Sequence, residues 1–218
     1  EDLNANGKID SFETGLAGWE ININGTDTIT GKEVNITTTT DTNGNYSFTN
    51  LTAGTYIISE KLNDGWVQTT PMTGTYTVTI TSGANITGQD FGNFHRGKIT
   101  GGGWISVPGD PKATYGLEGQ YPDSSSNTAQ GNVEYQDHAL KLKIKSVKVN
   151  TVATTIDKKR GVITGLAQVN GAGTYYFEAY VEDNGEPGKG VDVFKISLPI
   201  YPYSNGAILS SGNIQIHK

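Results

Sequence analysis

The chain has 218 residues, a formal net charge of −6 and no cysteine. The lack of cysteine excludes a disulfide framework and thiolate metal sites in these residues. The isoelectric point near 5.0 argues against a nucleic-acid partner, because binding a polyanion needs many cationic contacts. No stretch approaches the ~20 apolar residues of a membrane-spanning helix, so we predict no direct membrane span in this chain.

The first thirteen residues match the calcium-loop pattern D-x-[DN]-x-[DN]-G-x5-E. In such a loop, side-chain oxygens, one backbone carbonyl and a final carboxylate surround a hard cation. A glycine halfway along the loop, here Gly7, makes the sharp turn. The pattern predicts a calcium site formed by Asp2, Asn4, Asn6, the carbonyl of Lys8, Asp10 and Glu13.

The residues after this loop alternate like a strand, whereas a calcium-sensor hand needs a helix there. We therefore expect a structural calcium loop, with Ile9 as the apolar residue that pins the loop to neighbouring structure. The alternative is a solvated turn without an ion, because Asn, Asp and Gly are common in turns.

Residues 1–96 contain seven runs typical of short strands, separated by turns rich in glycine and asparagine. The runs are residues 19–23, 34–40, 46–49, 55–60, 66–69, 75–80 and 87–94. Seven short strands in this length predict an antiparallel β-sandwich. One hairpin turn carries Asp41, Asn43 and Asn45, which form a weaker calcium candidate or a plain turn.

Residues 1–94 also resemble the SdrD B-like domains, the B domains of serine-aspartate repeat surface adhesins. The shared motifs are the calcium loop, Gly15-Leu16-Ala17-Gly18, the stretch 41–56, Gly65-Trp66 and Asp90-Phe91-Gly92-Asn93. The resemblance implies an immunoglobulin-like (Cna B-type) sandwich, stiffened by calcium, that spaces other domains from a cell surface. It also implies an extracellular or cell-surface location.

That family begins with a strand before the calcium loop, and this sequence has none. We expect that the strand was removed or that a neighbouring molecule supplies it, since an unpaired sheet edge accepts an added strand. Related modules carry a crosslinking lysine in that first strand, so the resemblance does not lead us to predict an isopeptide crosslink here.

A shift in charge marks a boundary near Arg96-Gly97. Residues 1–96 carry 11 acidic and 4 basic side chains, whereas residues 97–218 carry 11 and 12. We therefore predict two domains, 1–96 and 97–218.

The second domain is also predicted to be antiparallel, as a β-sandwich or a β-barrel. Its strand-like runs are residues 113–120, 132–136, 140–149, 152–156, 161–169, 174–182, 192–198 and 207–216. Through Gly101–Ile105, Gly131–His138 and Val181–Gly188, it resembles the post-COAP domains at the C-termini of archaeal and bacterial secreted surface proteins. That resemblance informs location more than activity.

A loop near the end of the chain gathers Asp183, Asn184, Glu186 and Asp192. These hard oxygens form a weaker candidate for a second calcium site. Because their spacing fits no standard calcium loop, a plain surface turn is the competing interpretation.

Asp137-His138 is the one adjacent pair of an acid and an imidazole. The sequence has no His/Glu zinc spacing and no nucleophile motif around a serine. We therefore predict no catalytic residue and no enzyme. A hydrolase would have to use these two side chains.

Three lysines, Lys141, Lys143 and Lys145, alternate with Leu140, Leu142 and Ile144. This pattern predicts a strand with one basic face and a buried reverse. The basic face could bind an anionic glycan, or it could keep an exposed strand soluble and block edge pairing.

Five Asn-x-Ser/Thr sequons are candidate glycosylation sites, at Asn24, Asn35, Asn45, Asn50 and Asn85. A sequence rich in Thr and Asn also produces sequons by chance. A possible platform for sugar rings is formed by Trp104, Tyr115, Tyr121, Tyr201 and Tyr203, although core packing explains single aromatic residues equally well.

Together these features predict a non-enzymatic extracellular module, either a calcium-stiffened stalk or a subunit of a cell-surface or filament assembly. Its expected partners are other copies of itself or neighbouring surface-protein domains, with a glycan as a further possibility. The alternative is an adhesin module that binds carbohydrate or protein.

Overall fold

The computed structural model describes residues 1–81, 84–107, 110–123 and 126–217, with the backbone alone described at 110 and 111. The described residues form fourteen β-strands and no helix. The strands are β1 Glu20–Asp27, β2 Glu33–Thr39, β3 Gly54–Glu60, β4 Trp66–Thr70, β5 Thr75–Ile80, β6 Gly92–Arg96, β7 Lys98–Val107, β8 Asp110–Gln120, β9 Gln130–Asp137, β10 Leu142–Thr154, β11 Arg160–Val169, β12 Ala172–Glu182, β13 Val193–Leu198 and β14 Tyr203–Ile216. The chain divides into two units, Glu1–Phe94 and His95–Lys218, and the fold is all-β, as predicted.

The first unit contains an antiparallel sheet with the strand order β2-β1-β3-β5, and β4 pairs with β6. Alternate residues of the central strands point into one core, which contains Ile21, Ile23, Tyr56, Ile58 and Val78. This period of two is expected for strands with one buried face. The arrangement agrees with the predicted immunoglobulin-like fold.

Two of the predicted strands in this unit are wrong, one because it is absent and one because it is shorter. Residues 46–49 form no strand, and side-chain contacts hold this segment. The Tyr46 hydroxyl donates to the carbonyl of Gln89 at 2.5 Å, and the Tyr46 and Phe48 rings meet edge to face. The predicted run 87–94 becomes a strand only from Gly92 onward.

The second unit contains a closed antiparallel barrel of eight strands, β7 to β14 in chain order. Each strand pairs with the next along the chain, and β14 returns to pair with β7 from Ile216↔Ile99 to Leu209↔Ile105. The predicted choice between sandwich and barrel therefore resolves to a barrel. Interior packing includes the stacked rings of Tyr115 and Phe194, whose centroids are 4.2 Å apart.

The predicted strands 140–149 and 152–156 form one long strand, β10. Register shifts between Ser146 and Lys148 and between Val149 and Thr151 let this strand curve without ending. Leu140 was predicted to be buried but is 65% exposed, because it lies in the turn before β10.

Candidate metal loop and adjoining cavity

The N-terminal loop is organised around the nearly buried carboxylate of Asp2, which is 1% exposed. Its Oδ1 accepts the backbone N–H of Asn6 at 2.9 Å, and its Oδ2 accepts the N–H of Gly7 at 2.9 Å. Gly7 has a φ of 75°, in the left-handed region that glycine tolerates best. The sequence thus folds the first half of the loop back over its own first carboxylate.

The side chains of Asn4, Asn6 and Asp10 meet on the other side of the loop. The amide nitrogens of Asn4 and Asn6 both donate to Asp10 Oδ2 at 2.8 Å. The partial positive charge of these amide hydrogens offsets the negative charge of Asp10, as a bound cation would. The contacts unite positions 3, 5 and 9 of the predicted calcium loop.

Glu13 closes the loop from its far end. Its Oε1 accepts the N–H of Leu3 at 2.7 Å, and its Oε2 accepts the N–H of Asp10 at 2.8 Å. Burial raises the pKa of the Glu13 carboxyl, the two backbone donors lower it, and the like charges of Asp2 and Asp10 raise it further. A divalent cation beside this carboxylate would act in the opposite direction and favour ionisation.

The loop is fastened to the strands of the first unit. The N–H of Asp2 donates to the carbonyl of Asn93 in β6 at 2.8 Å, and Thr69 of β4 donates from its hydroxyl to Asp2 Oδ2. Leu3 is fully buried, whereas Ile9 is 77% exposed. The prediction that Ile9 pins the loop is therefore wrong, and Leu3 provides the apolar anchor instead.

The donor set fits calcium better than a softer metal. Within the described ranges, no three His, Cys, Asp or Glu side chains gather as a metal-binding group. An ion in this loop would therefore combine the carboxylates with amide oxygens and the backbone carbonyl of Lys8. Ligands that are all oxygen, with several uncharged, are typical of calcium.

Beside the loop, the first unit contains a cavity of about 500 Å³. The loop supplies part of its wall through Asp2 and the segment 7–9. Trp19 and Ile21 supply apolar surface, while Glu60 and Asn93 supply polar groups. The cavity thus shares a wall with the candidate metal loop.

Glu60 and Asn93 form a polar pair that sequence reasoning missed. Asn93 Nδ2 donates to Glu60 Oε2 at 2.8 Å, while Glu60 Oε1 and Asn93 Oδ1 are buried with no hydrogen-bond partner. Burial raises the pKa of Glu60 to about 7, although the hydrogen bond from Asn93 lowers it. A signal was present in the sequence, since Glu60 shares the inward parity of Tyr56 and Ile58 along β3.

The second candidate, Asp41 with Asn43 and Asn45, is an exposed turn that is closed on itself. Asp41 Oδ1 accepts the backbone N–H groups of Asn43 at 2.8 Å and Asn45 at 2.9 Å. These hydrogen bonds lower the pKa of Asp41. They account for the turn without an ion, and calcium binding there stays a prediction.

In the third candidate, the carboxylates hold the loop against β14. Asp192 is fully buried and accepts the N–H groups of Asn184 and Ile214, each at 2.9 Å. Asp183 accepts the N–H of Ile216 at 2.9 Å. Glu186 accepts from two side-chain amides of β14, those of Asn213 at 3.0 Å and Gln215 at 3.1 Å. These contacts give the acids a structural role, and a second calcium stays a prediction.

Asp137 and His138 serve different neighbours. Asp137 is buried and accepts the Tyr203 hydroxyl at 2.8 Å and the N–H of Leu140 at 3.1 Å. His138 Nε2 lies 3.4 Å from the hydroxyl of Thr114. This geometry gives Asp137 the role of an anchor for the turn after β9 and for Tyr203.

The predicted basic face is reduced by the turn before β10. Lys143 and Lys145 lie exposed on β10, where Lys145 pairs with Glu134 at 2.8 Å. Lys141 lies in the turn with a φ of 51°. The basic stripe therefore contains two strand lysines rather than three.

The five aromatic residues do not come together as one platform. Tyr115 stacks on Phe194 in the barrel interior, and Tyr121 lies under the Arg96 guanidinium. The other rings have different neighbours: Tyr201 packs against Tyr175, Tyr203 against Tyr135, and Trp104 lies on β7. These contacts favour packing roles over a sugar-binding surface.

All five sequon asparagines are exposed. Asn24 and Asn35 lie directly opposite each other in the β1–β2 pairing, and Asn45 donates to Asp41 Oδ2 at 3.2 Å. Exposure is compatible with modification, and glycosylation of these residues stays a prediction.

Comparison with known proteins assigns the first unit to a class. Residues 1–95, which are less than half of the chain, match the family described as SdrD B-like domain. That description names no enzymatic reaction. The resemblance of residues 97–218 to post-COAP domains stays a prediction.

The chain is also similar to serine-aspartate repeat-containing protein C from Staphylococcus aureus strains Newman, USA300 and COL. Each is 31% identical over 199 residues, which is 89% of this chain and 18% of the relative. The chain thus spans less than a fifth of the length of these curated relatives. No solved structure matches the chain. Among the described residues, no helix has the length and apolar character needed to cross a membrane.

Proposed function

We propose that this chain is a non-enzymatic structural module of an extracellular or cell-surface protein, and that calcium stiffens its first domain. The SdrD B-like domain and the similarity to serine-aspartate repeat-containing protein C support a place in a surface protein. The expected partners are other copies of the chain or neighbouring surface-protein domains.

The observation that carries the proposal is the way the N-terminal loop joins distant segments. Asp2 is held by Asn93 of β6 and Thr69 of β4, while Glu13 holds the backbone of Leu3 and Asp10. An ion held by Asp2 and Glu13 would tie the two ends of the loop to each other and to both strands. Such an ion stabilises the folded domain alone, so its binding energy adds to the stability of the domain.

Calcium would also replace the amide hydrogens at the centre of the loop. Asn4 and Asn6 now direct their nitrogens toward Asp10, and with an ion present their oxygens would serve as ligands. The change requires rotation of two side-chain amides, which would also release the backbone N–H groups of Asn6 and Lys8 that their oxygens now accept.

We further propose that a strand from a neighbouring molecule completes the first domain at the cavity beside the loop. The cavity joins apolar surface at Trp19 and Ile21 with the unpartnered oxygens of Glu60 and Asn93. Added strands combine hydrogen bonds with side-chain pockets in the same way. Self-association through such a strand would build a filament or a stalk.

The test is the melting temperature of the first domain within the full chain, measured in calcium and in chelator. We expect calcium to raise this melting temperature and chelator to reverse the rise. An equal concentration of magnesium is the control, since Mg²⁺ prefers a smaller octahedral site and keeps its waters. The same melting temperature in calcium and in chelator would refute calcium stiffening.

A further inference from the structure

A groove with a volume of about 340 Å³ lies on the outer face of the barrel, across β8, β9 and β10. Tyr115 and Tyr135 point into the barrel core, so the residues beside them in β8 and β9 face outward. The volume lies within the range of small-molecule sites. The outward-facing residues that line the groove are Thr114, Gly116, Asn132, Glu134, Gln136 and Lys143.

Gly116 forms the floor of this outer groove, and the barrel itself does not require a glycine there. A Cβ on Gly116 would have no described atom within 4 Å, and every other described glycine with that much room has a positive φ, which Gly116 lacks. The pairing of β8 with β7 and β9 has no register shift at Gly116. Glycine inside a strand is destabilising relative to alanine. A strand glycine that serves neither a bulge nor a turn marks the close approach of a ligand or of another backbone.

An added strand does not fit this groove. From Ala113 to Gln120, β8 is paired with β7 on one side and with β9 on the other. Its backbone N–H and C=O groups are therefore used within the barrel, and no sheet edge is open at Gly116. Recognition in the groove must depend on side chains.

The charges around the groove balance. Glu134 bonds to Lys145 at 2.8 Å. Glu118, which is paired with Asn132 in the β8–β9 register, offsets the charge of Lys143. The groove thus has acidic and basic side chains in equal number, which favours a ligand without net charge.

The amide side chains of the groove suit hydroxyl groups. Gln136 and Asn132 are both exposed, and each amide can donate as well as accept. Asn132 Oδ1 already accepts the Ser146 hydroxyl at 3.2 Å, which leaves its two amide hydrogens as donors. A ligand hydroxyl also donates and accepts, so a polyhydroxyl compound can satisfy both amides.

A tryptophan adjoins the groove on the same face. Trp104 is paired with Thr114 across β7 and β8, which makes it a diagonal neighbour of Gly116. Ile105 is fully buried, so Trp104 points outward, and it is half-buried there. Diagonal neighbours lie within reach of an aromatic side chain. The negative face of an indole attracts the C–H groups of a sugar ring.

We propose that this outer groove binds a neutral glycan, with a pyranose ring beside Trp104 and its hydroxyls bonded to Gln136 and Asn132. The site differs from the five-residue aromatic platform, because it needs a single ring. The inference goes beyond the proposed structural role and gives the barrel a binding function of its own. It is independent of calcium and of strand completion, which concern the first domain.

The test is an NMR titration of the full chain with cellotetraose, maltotetraose and mannotetraose, and with tetragalacturonate as the acidic control. We expect at least one neutral tetrasaccharide to shift the signals of the Gln136 side-chain amide and the Trp104 indole N–H until they saturate. The indole signals of Trp19 and Trp66, which are buried in the first unit, should stay in place as internal controls.

Two variants connect the binding to the groove. Gly116→Val fills the floor and should weaken binding roughly tenfold or more, because its side chain occupies the place of the ligand. Gln136→Leu keeps the size of the side chain and should weaken binding by about three- to tenfold through its lost hydrogen bonds. The control is Thr174→Val, at an exposed position of β12, which should bind like the unmodified chain. If Gly116→Val does not fold, Gln136→Leu and the shifts in the unmodified chain decide.

Three results would overturn the proposal. The first is the absence of a saturable shift with all three neutral sugars. The second is full affinity in a folded Gly116→Val variant. The third is tighter binding of tetragalacturonate than of the neutral sugars, which would assign the groove to anions held by Lys143 and Lys145. None of these results would alter the calcium experiment, which measures the first domain.

Discussion

The conversion of Glu13 to glutamine is the sharpest test of the calcium loop, because it preserves shape and removes one charge. Calcium sites of extracellular modules bind with Kd values of roughly 10⁻⁴ to 10⁻³ M. At about 10 mM calcium, the ion would stabilise the domain by roughly 1.4 to 2.7 kcal/mol. For a domain of this size that corresponds to a rise in melting temperature of about 6 to 20 °C. We expect Glu13→Gln to lose most of that rise.

The variant also changes the stability of the ion-free loop, and the hydrogen bonds of Glu13 indicate that the change is destabilising. Glu13 accepts two backbone N–H groups, from Leu3 and Asp10. A glutamine amide can accept only one of them, so one donor loses its partner at a cost of about 1–3 kcal/mol. Relief of the repulsion from Asp2 and Asp10 offsets part of this cost. The decisive quantity is therefore the difference between calcium and chelator for each variant.

The assay is thermal unfolding followed by circular dichroism, with Glu33→Gln as the charge-matched control. Asp41→Asn tests the second candidate site. If calcium bound in that turn, this variant, and not Glu13→Gln, would lose the calcium-induced rise in melting temperature. If Glu13→Gln keeps the full calcium-induced rise, the loop is not the calcium site and the reasoning fails. The rise in the unmodified chain should also shrink at acidic pH, because protons compete with calcium for Glu13.

Two other predictions concern the cavity and the barrel. The folded-state pKa of Glu60 lies above its ordinary 4.5, at about 7, so the first domain should lose stability as pH rises from 4.5 to about 7. Denaturant titrations should show Glu60→Gln more stable by about 1–2 kcal/mol at pH 8, after allowance for solvent screening, and no difference near pH 4 would be expected. Gly165→Ala places a methyl group 2.1 Å from the Lys148 carbonyl and should destabilise the barrel by about 1–3 kcal/mol. Gly116→Ala, whose methyl group meets open space, is the control, and equal melting temperatures would contradict the packing argument.

Much of the strand content could be predicted because burial imposes a period of two. Tyr56, Ile58 and Glu60 point inward along β3 with polar or exposed residues between them, and that alternation is visible in the sequence. Residues 46–49 show the same alternation but form no strand, and the rings of Tyr46 and Phe48 pack against each other there. Alternation reports which side chains are buried, and it does not report whether a neighbouring strand is present.

The choice between sandwich and barrel could not be made from alternation, because both folds bury one face of every strand. The decision depends on the pairing of β14 with β7 and on the continuity of β10 through its bulges. These bulges place extra residues at 146–151, where the sequence suggests a break between two strands. A strand that bends and a pair of strands joined by a turn carry similar local patterns.

The calcium-loop pattern was visible because its predicted ligands are close in sequence, whereas the residues that attach the loop to the strands are far away in sequence. Asp2 meets Asn93 and Thr69, and Asn93 in turn meets Glu60. No local pattern connects positions so far apart, and a Glu at the end of a strand usually faces solvent. Only the fold shows that one residue of β6 holds the loop with its carbonyl and the cavity carboxylate with its side chain. The proposed ion in the loop and the proposed strand in the cavity would therefore both act through Asn93, and we expect the first domain to be stiffest when both are bound.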